Sequence, residues 1–254
     1  MSEFLRGFLL GTVQGVTEFF PVSSTAHLII ASELLGISDE VRVSFDISVQ
    51  VSSVFALVVA LGSRLKSLVQ DHNQLKETLL VVALACLWFI GVAVCFEDVI
   101  KTHFFASSKV WFGLILGSIF LLLGLLKQQP AKAGFWKVVL FVSFFQSLAI
   151  FPGVSRSGGA IAGGLLAGLS FKKSVELSFL MAVPLLSAAC LWEMINLPFE
   201  QLLKFFELYL GGFIAGGLSS FFTIKFLSSI QEKKILWGFV VYRLLLAGLL
   251  ISFY

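Results

Sequence analysis

Apolar runs of helical length recur along this chain, separated by short polar loops, and their lengths set the reading of the fold. Six of them can cross about 30 Å of hydrocarbon: Asp46–Ser63, Thr78–Phe96, Val110–Leu126, Ser174–Ile195, Phe205–Ile224 and Ile235–Phe253. Two further apolar regions, Val138–Phe151 and Gly159–Ser170, are each too short to span, and the string Pro152-Gly153-Val154-Ser155-Arg156-Ser157-Gly158 separates them. Lysines flank both ends of that pair, so the chain enters and leaves on one side, as a re-entrant helical hairpin. Broken backbone at membrane depth is tolerated only where protein or a watery cavity surrounds it. The N-terminal stretch Phe4–Leu35 has the same design, with Pro21-Val22-Ser23-Ser24-Thr25 as its break.

The two stretches also resemble each other in order. Gln14 followed by Pro21-Val22-Ser23-Ser24 parallels Gln146 followed by Pro152-Gly153-Val154-Ser155-Arg156, and Ser44-Phe45-Asp46-Ile47-Ser48-Val49 parallels Ser174-Val175-Glu176-Leu177-Ser178-Phe179. Each half therefore reads as a hairpin plus three spans. A unit with an odd number of crossings places its second copy upside down, the inverted-repeat architecture of many transporters. The expected fold is an all-α integral membrane protein of one domain, residues 1–254, with six transmembrane helices and two re-entrant hairpins. Repeat 1 covers about 1–126 and repeat 2 about 134–254, and the hairpin tips meet near the midplane from opposite faces.

Composition removes the soluble alternatives. Hydrophobic residues make up 58% of the chain, mean hydropathy is +0.98, and charged residues fall to 13%, where a soluble domain carries about 25%. Such a chain has too little polar surface for water. The pI of about 8.8 does not point to nucleic acid, because the cations cluster in short loops: Arg64, Lys66 and Lys76; Lys127, Lys132 and Lys137; Lys172 and Lys173; Lys225, Lys233 and Lys234. Those loops read as cytoplasmic, with Glu97, Asp98, Glu193, Glu200 and Glu207 on the opposite side and both termini outside. The first apolar run, Phe4–Val13, has no small-residue cleavage site and leads into Glu18, so it reads as part of the fold. Cys86, Cys95 and Cys190 all fall in apolar segments without C-x-x-C spacing, which suggests packing rather than disulfides or zinc.

Ionisable residues at membrane depth are costly and are functional candidates by default. They are Glu18, His27, Asp46, Arg156, Glu176 and Arg243. Arg156 stands in a serine- and glycine-rich break, where its fork of donors, nearby hydroxyls and helix N-terminal amides can surround a phosphate. Its alternative role is to neutralise Glu18 or Asp46 and hold the hairpins together. Glu18 and His27 lie on opposite arms of the first break with Ser23, Ser24 and Thr25 between them. Acid, hydroxyl, imidazole and guanidinium are the parts of phosphoryl transfer. Gln14 lies one turn before Glu18 on the same face. Asp46 and Glu176 are expected to cap the starts of long helices, and Arg243 either pairs within the bundle or snorkels outward.

The segments Gly11–His27, G-T-V-Q-G-V-T-E-F-F-P-V-S-S-T-A-H, and Phe151–Gly164, F-P-G-V-S-R-S-G-G-A-I-A-G-G, with the later Phe179-Leu180-Met181-Ala182-Val183-Pro184, resemble the undecaprenyl-diphosphate phosphatases of the bacitracin-resistance type. The likeness covers nearly the whole chain. It implies a multi-pass enzyme of the bacterial inner membrane, its site opening to the outer side. Such an enzyme converts undecaprenyl diphosphate to undecaprenyl phosphate and inorganic phosphate, recycling the carrier for peptidoglycan synthesis and conferring bacitracin resistance. The resemblance further implies a divalent cation, Mg2+ or Ca2+, held by Glu18 and Gln14. Glu18, Ser24, His27 and Arg156 take catalytic roles, and Ser23, Thr25, Gly153, Ser155 and Ser157 line the substrate site. Many relatives have glutamate in place of Gln14 and threonine in place of Ala160, which here removes one carboxylate and one hydroxyl.

The nucleophile stays open among Ser24, His27 and water. A transporter or flippase of an anionic lipid is the alternative function, since broken helices at the midplane also serve alternating access. The membrane phosphatase design that needs a second histidine downstream of its arginine is excluded, because no histidine follows Arg156. Expected partners are undecaprenyl diphosphate and the bilayer, with no nucleic acid; the reading allows a homodimer.

Overall fold

The computed structural model describes residues 1–104, 107–127, 133–196 and 199–253. Lys132 and Tyr254 lie outside the described residues, as do the side chains of Glu97 and Glu193. The described chain is helical: α1 (Glu3–Phe19), α2 (Ser24–Leu34), α3 (Asp39–Ala60), α4 (Gly62–Gln70), α5 (His72–Phe104), α6 (Val110–Leu126), α7 (Phe135–Ser147), α8 (Arg156–Ala167), α9 (Phe171–Asn196), α10 (Phe199–Lys204), α11 (Phe206–Ser229) and α12 (Leu236–Phe253). Single 3-10 turns precede α6 and α12 and follow α7.

Among the described residues, four helices are long and apolar enough to cross a membrane: His72–Phe96, Phe171–Trp192, Phe206–Ser229 and Lys233–Phe253. A fifth would be the pair Ser44–Ala60 and Gly62–Gln70, bent by 60°. Val110–Leu126 and Phe135–Ile150 are shorter apolar helices. Large side chains such as Phe55, Leu87, Trp136, Trp192, Phe222 and Leu245 stand more than half exposed on the outside, a surface that water would not tolerate at this density and acyl chains would.

Packing depends on small residues where helices touch. In lipid, apolar burial does not drive helices together, so close backbone approach does. Gly7, Gly11 and Gly15 form a stripe on α1 that lies on α11. A Cβ on Gly11 would sit 2.3 Å from the carbonyl oxygen of Gly212, and one on Gly7 1.9 Å from that of Leu208. The main apolar core gathers Phe19, Leu57, Leu121, Ile161, Phe179 and Ile224 from six helices. Phe19 and Phe179 meet edge to face at 5.5 Å, which joins the end of α1 to the middle of α9.

Two chain reversals organise the interior. α1 turns into α2 through Phe20–Ser23, and α7 turns into α8 through Phe151–Ser155. Both close on a serine with positive φ, Ser23 at 76° and Ser155 at 78°, a region that costs a non-glycine residue energy. Each serine caps its helix with its own hydroxyl, Ser23 accepting from the amide of Ala26 at 3.4 Å and Ser155 from that of Gly158 at 3.1 Å. Gly153 has φ of 103°, and its Cβ would meet the Val110 carbonyl at 2.5 Å, so only glycine fits there.

The expected capping role of Asp46 and Glu176 is corrected. Helix α3 begins at Asp39 behind Ser38, and α9 begins at Phe171, so both carboxylates lie inside their helices. Glu176 instead accepts from Arg64 Nε at 2.5 Å, tying α4 to α9.

Candidate active site

The two breaks meet. Ser157 Oγ donates to the carbonyl of Phe20 at 3.1 Å, and it shares a 3.1 Å hydrogen bond with Ser155 Oγ. This contact places the N-termini of α2 and α8 side by side, with the side chains of Glu18, Ser24 and Arg156 between them.

Glu18 is the hub. Its Oε1 accepts from Arg156 Nη2 at 2.7 Å, and its Oε2 accepts from Ser24 Oγ at 2.8 Å and from Gln14 Nε2 at 3.0 Å. A buried carboxylate loses its hydration and stays charged only when donors replace it. Here Arg156 at the second break, Ser24 at the first and Gln14 from within α1 do so. Arg156 also donates from Nη1 to the carbonyl of Ser178 at 3.2 Å, so α9 helps to aim the guanidinium. A guanidinium carries five N–H donors, and these two bonds leave others for a ligand.

A cavity of about 190 Å³ opens on this group. Glu18, Ser23, Ser24, Thr25, Gly153, Ser155 and Arg156 supply its polar wall, and Phe89, Leu185, Leu186 and Ala189 supply apolar wall. Pro184 sits inside α9 just before those leucines, where it removes a helical hydrogen bond. Gln50 of α3 also lines the cavity. The sequence reading missed it; the one amide side chain inside the predominantly apolar run Ile47–Gly62 is the signal that marks it.

Other expected site residues stand elsewhere. Gln14 is buried behind Glu18, with its Oε1 making no hydrogen bond. Ser157 is also buried, stitching the breaks together rather than lining the cavity. Ala160 lies in an apolar cluster with Val142 and Met181. His27 does not line the cavity either. Its Nδ1 bonds the carbonyl of Ser23 at 2.7 Å and its Nε2 the hydroxyl of Tyr242 at 2.6 Å, with the two rings stacked at 5.6 Å.

Arg243 resolves inward. It is fully buried, donating to the carbonyl of Pro21 in the first break at 2.9 Å and to those of Gly153 and Val154 in the second at 2.8 and 3.1 Å. It also bonds the carbonyls of Gly113 and Leu114 and the hydroxyl of Ser118 on α6. Gly117 makes room for it, since a Cβ there would come within 2.0 Å of Arg243 Nη2. One side chain thus satisfies carbonyls that the broken helices leave free.

Chemically, the cavity offers a hydroxyl bonded to a carboxylate, a guanidinium and two helix N-termini, which suits attack on an anionic phosphorus centre. Among the described residues, no three of histidine, cysteine, aspartate and glutamate gather as a metal cage. A cation here would take part of its shell from substrate oxygens. Glu18 and the unpartnered Oε1 of Gln14 fit that arrangement, because hard divalent cations bind oxygen and commonly share substrate phosphates.

The family profile described as Bacitracin resistance protein BacA matches residues 7–249. The Undecaprenyl-diphosphatase 1 of Bacillus cereus (strain ZK / E33L) is 33% identical over 264 residues, covering 100% of this chain and 99% of that protein. The Undecaprenyl-diphosphatase 1 of Bacillus anthracis is 32% identical with the same coverage. With a match of this extent and the first and second breaks joined at one cavity, the chain belongs to the bacitracin resistance protein BacA family.

Proposed function

We propose that this protein is a hydrolase that removes the terminal phosphate of undecaprenyl diphosphate, returning undecaprenyl phosphate for peptidoglycan synthesis and so conferring bacitracin resistance. Membership of the family and the names of its relatives support the reaction. The observation that carries the site assignment is the bond from Ser24 Oγ to Glu18 Oε2 beside the Arg156 guanidinium. The diphosphate enters the cavity against Arg156, Ser23, Thr25, Gly153, Ser155 and the amides that open α2 and α8. Its prenyl tail lies along apolar surface.

Ser24 Oγ attacks the terminal phosphorus and its proton passes to Glu18. The bond from that phosphorus to the bridging oxygen breaks, and the departing lipid phosphate takes the proton. Arg156 neutralises charge on the equatorial oxygens, the task arginine performs in phosphoryl transfer. Water then accepts the phosphoryl group from Ser24, one water proton returning to Ser24 Oγ through Glu18. Glu18 and Gln14 would hold the divalent cation, Mg2+ or Ca2+; when bound, it supplies further neutralisation of the diphosphate.

The fuller topology belongs to this reading: six spans, two re-entrant hairpins and an inverted repeat of about 1–126 and 134–254. The matched capping serines of the two breaks support it. Orientation follows from charge. Lys127, Lys233 and Lys234 border one groove, and Arg64 and Lys173 border its neighbour. The catalytic cavity instead touches the second half of α9, away from the lysines that open that helix. Lysine-rich loops stay cytoplasmic, so the cavity opens to the outer side of the inner membrane.

A flippase would need a charge partner for the diphosphate but no hydroxyl bonded to a carboxylate. Purified protein in detergent, without any gradient, is expected to release inorganic phosphate from undecaprenyl diphosphate, with a phosphoserine at Ser24 trapped by rapid quench. Intact substrate in that assay would refute the reading.

A further inference from the structure

We infer that His27 and Tyr242 form a positioning pair, acting on the reaction through Ser23 rather than as base or nucleophile. The inference rests on the site assignment above, in which Ser24 is the attacking group.

Its first support is hydrogen-bond chemistry. The Nδ1 of His27 faces the carbonyl oxygen of Ser23 at 2.7 Å. A carbonyl only accepts, so Nδ1 carries the proton. In the neutral ring Nε2 then holds the lone pair, and Nε2 lies 2.6 Å from Tyr242 Oη. The phenol donates to it. Both nitrogens are therefore engaged, one by a fixed acceptor and the other by a donor, and neither faces the phosphate cavity. The flat stacking of the rings, 12° between their planes, holds the imidazole in that orientation.

The second support is the residue that His27 grips. Ser23 has φ of 76° and ψ of 97°, outside the regions a serine occupies at ease. Such a conformation persists only when its surroundings over-determine it. The Ser23 hydroxyl accepts from Ala26, and its carbonyl accepts from both the backbone amide and the ring of His27. That conformation sets the direction of Ser24, the next residue, whose hydroxyl meets Glu18. The imidazole thus holds the hinge on which the nucleophile turns.

The second break shows why an imidazole is used only once. Gly159 stands four residues after Ser155, where a Cβ would come within 2.3 Å of the Phe145 carbonyl. No side chain fits, and Arg243 holds the neighbouring carbonyls of Gly153 and Val154 instead. Tyr242 and Arg243 are adjacent on α12, so a single helix secures both breaks.

The test combines substitution with a spectroscopic reading. His27→Asn keeps an N–H donor where Nδ1 stands and removes any base, whereas His27→Ala removes both. His27→Asn is expected to keep phosphate release within about tenfold of the parent, and His27→Ala to lose at least about a hundredfold. Tyr242→Phe keeps the stacking and removes the donor, and is expected to lower kcat about threefold or more with KM unchanged. Because a variant can fail to fold, 15N-histidine spectra of the intact enzyme carrying His72→Gln and His103→Gln provide an independent reading. Near neutral pH the remaining histidine should show its proton on Nδ1. A proton on Nε2, a His27→Asn enzyme as inactive as the His27→Ala enzyme, or unaltered kcat in Tyr242→Phe would each overturn the inference. An active Ser24→Ala enzyme would instead remove the nucleophile assignment and leave the tautomer result standing, so the two failures are separable.

Discussion

Arg156 and Glu18 flank two chain reversals 138 residues apart in sequence and pair at 2.7 Å, their side chains only 12% and 6% exposed. Nothing local holds them together; the contact exists because the breaks dock on each other. Charge removal on either side is expected to cost about 100-fold or more in turnover. Both line the cavity, so water can solvate the charge left behind, and folding should survive. Phosphate release by Arg156→Ala and Glu18→Ala, compared with their elution from a sizing column, checks this. Full activity in either folded variant would refute the assignment.

Ser24→Ala removes the attacking oxygen while leaving Glu18 bonded to Arg156 and Gln14. Turnover is expected to fall about 1,000-fold, with undecaprenyl diphosphate still binding. Single-turnover chemistry and equilibrium binding separate the two quantities.

Gln14→Glu places a second carboxylate against Glu18. Without a divalent cation the two negative charges repel across a partly desolvated space, so the unfolding temperature should fall. With Mg2+ or Ca2+ present the pair should bind cation more tightly, lowering the concentration that restores activity after chelation. Cation titrations of both enzymes test this, and identical curves would place the cation elsewhere.

Arg243→Met leaves the carbonyls of Pro21, Gly153 and Val154 without their donor in a low-dielectric interior. The expected cost is about 3 kcal/mol or more, read as a lower thermal unfolding midpoint. Arg243→Lys should recover part of it, because an ammonium reaches fewer of these acceptors in fixed geometry.

Gln50→Leu keeps the size of the cavity wall and removes its amide. KM for the diphosphate is expected to rise severalfold with kcat nearly unchanged, the sign of binding lost equally in ground and transition states. A steady-state comparison with the parent enzyme decides it.

The sequence alone determined the helical class, the places where helices break, and most of the polar residues around the cavity, though not its apolar wall. Apolar run length against bilayer thickness and the excess of hydrophobic over charged residues suffice for the first. The serine- and glycine-rich strings around Ser23 and Ser155 suffice for the second, because proline, glycine and hydroxyls punctuate helices locally. What only the tertiary structure decided was which way each side chain turned. His27 sits one helical turn from Ser23 in sequence, yet its partner Tyr242 lies 215 residues away. Arg243 had two readings until α6 and both breaks closed around it, and Glu176 found Arg64 rather than a helix end. Local spacing fixes the face of a helix but not the neighbour that face will meet. In a membrane interior, where an unpaired polar group is costly, that neighbour decides the role.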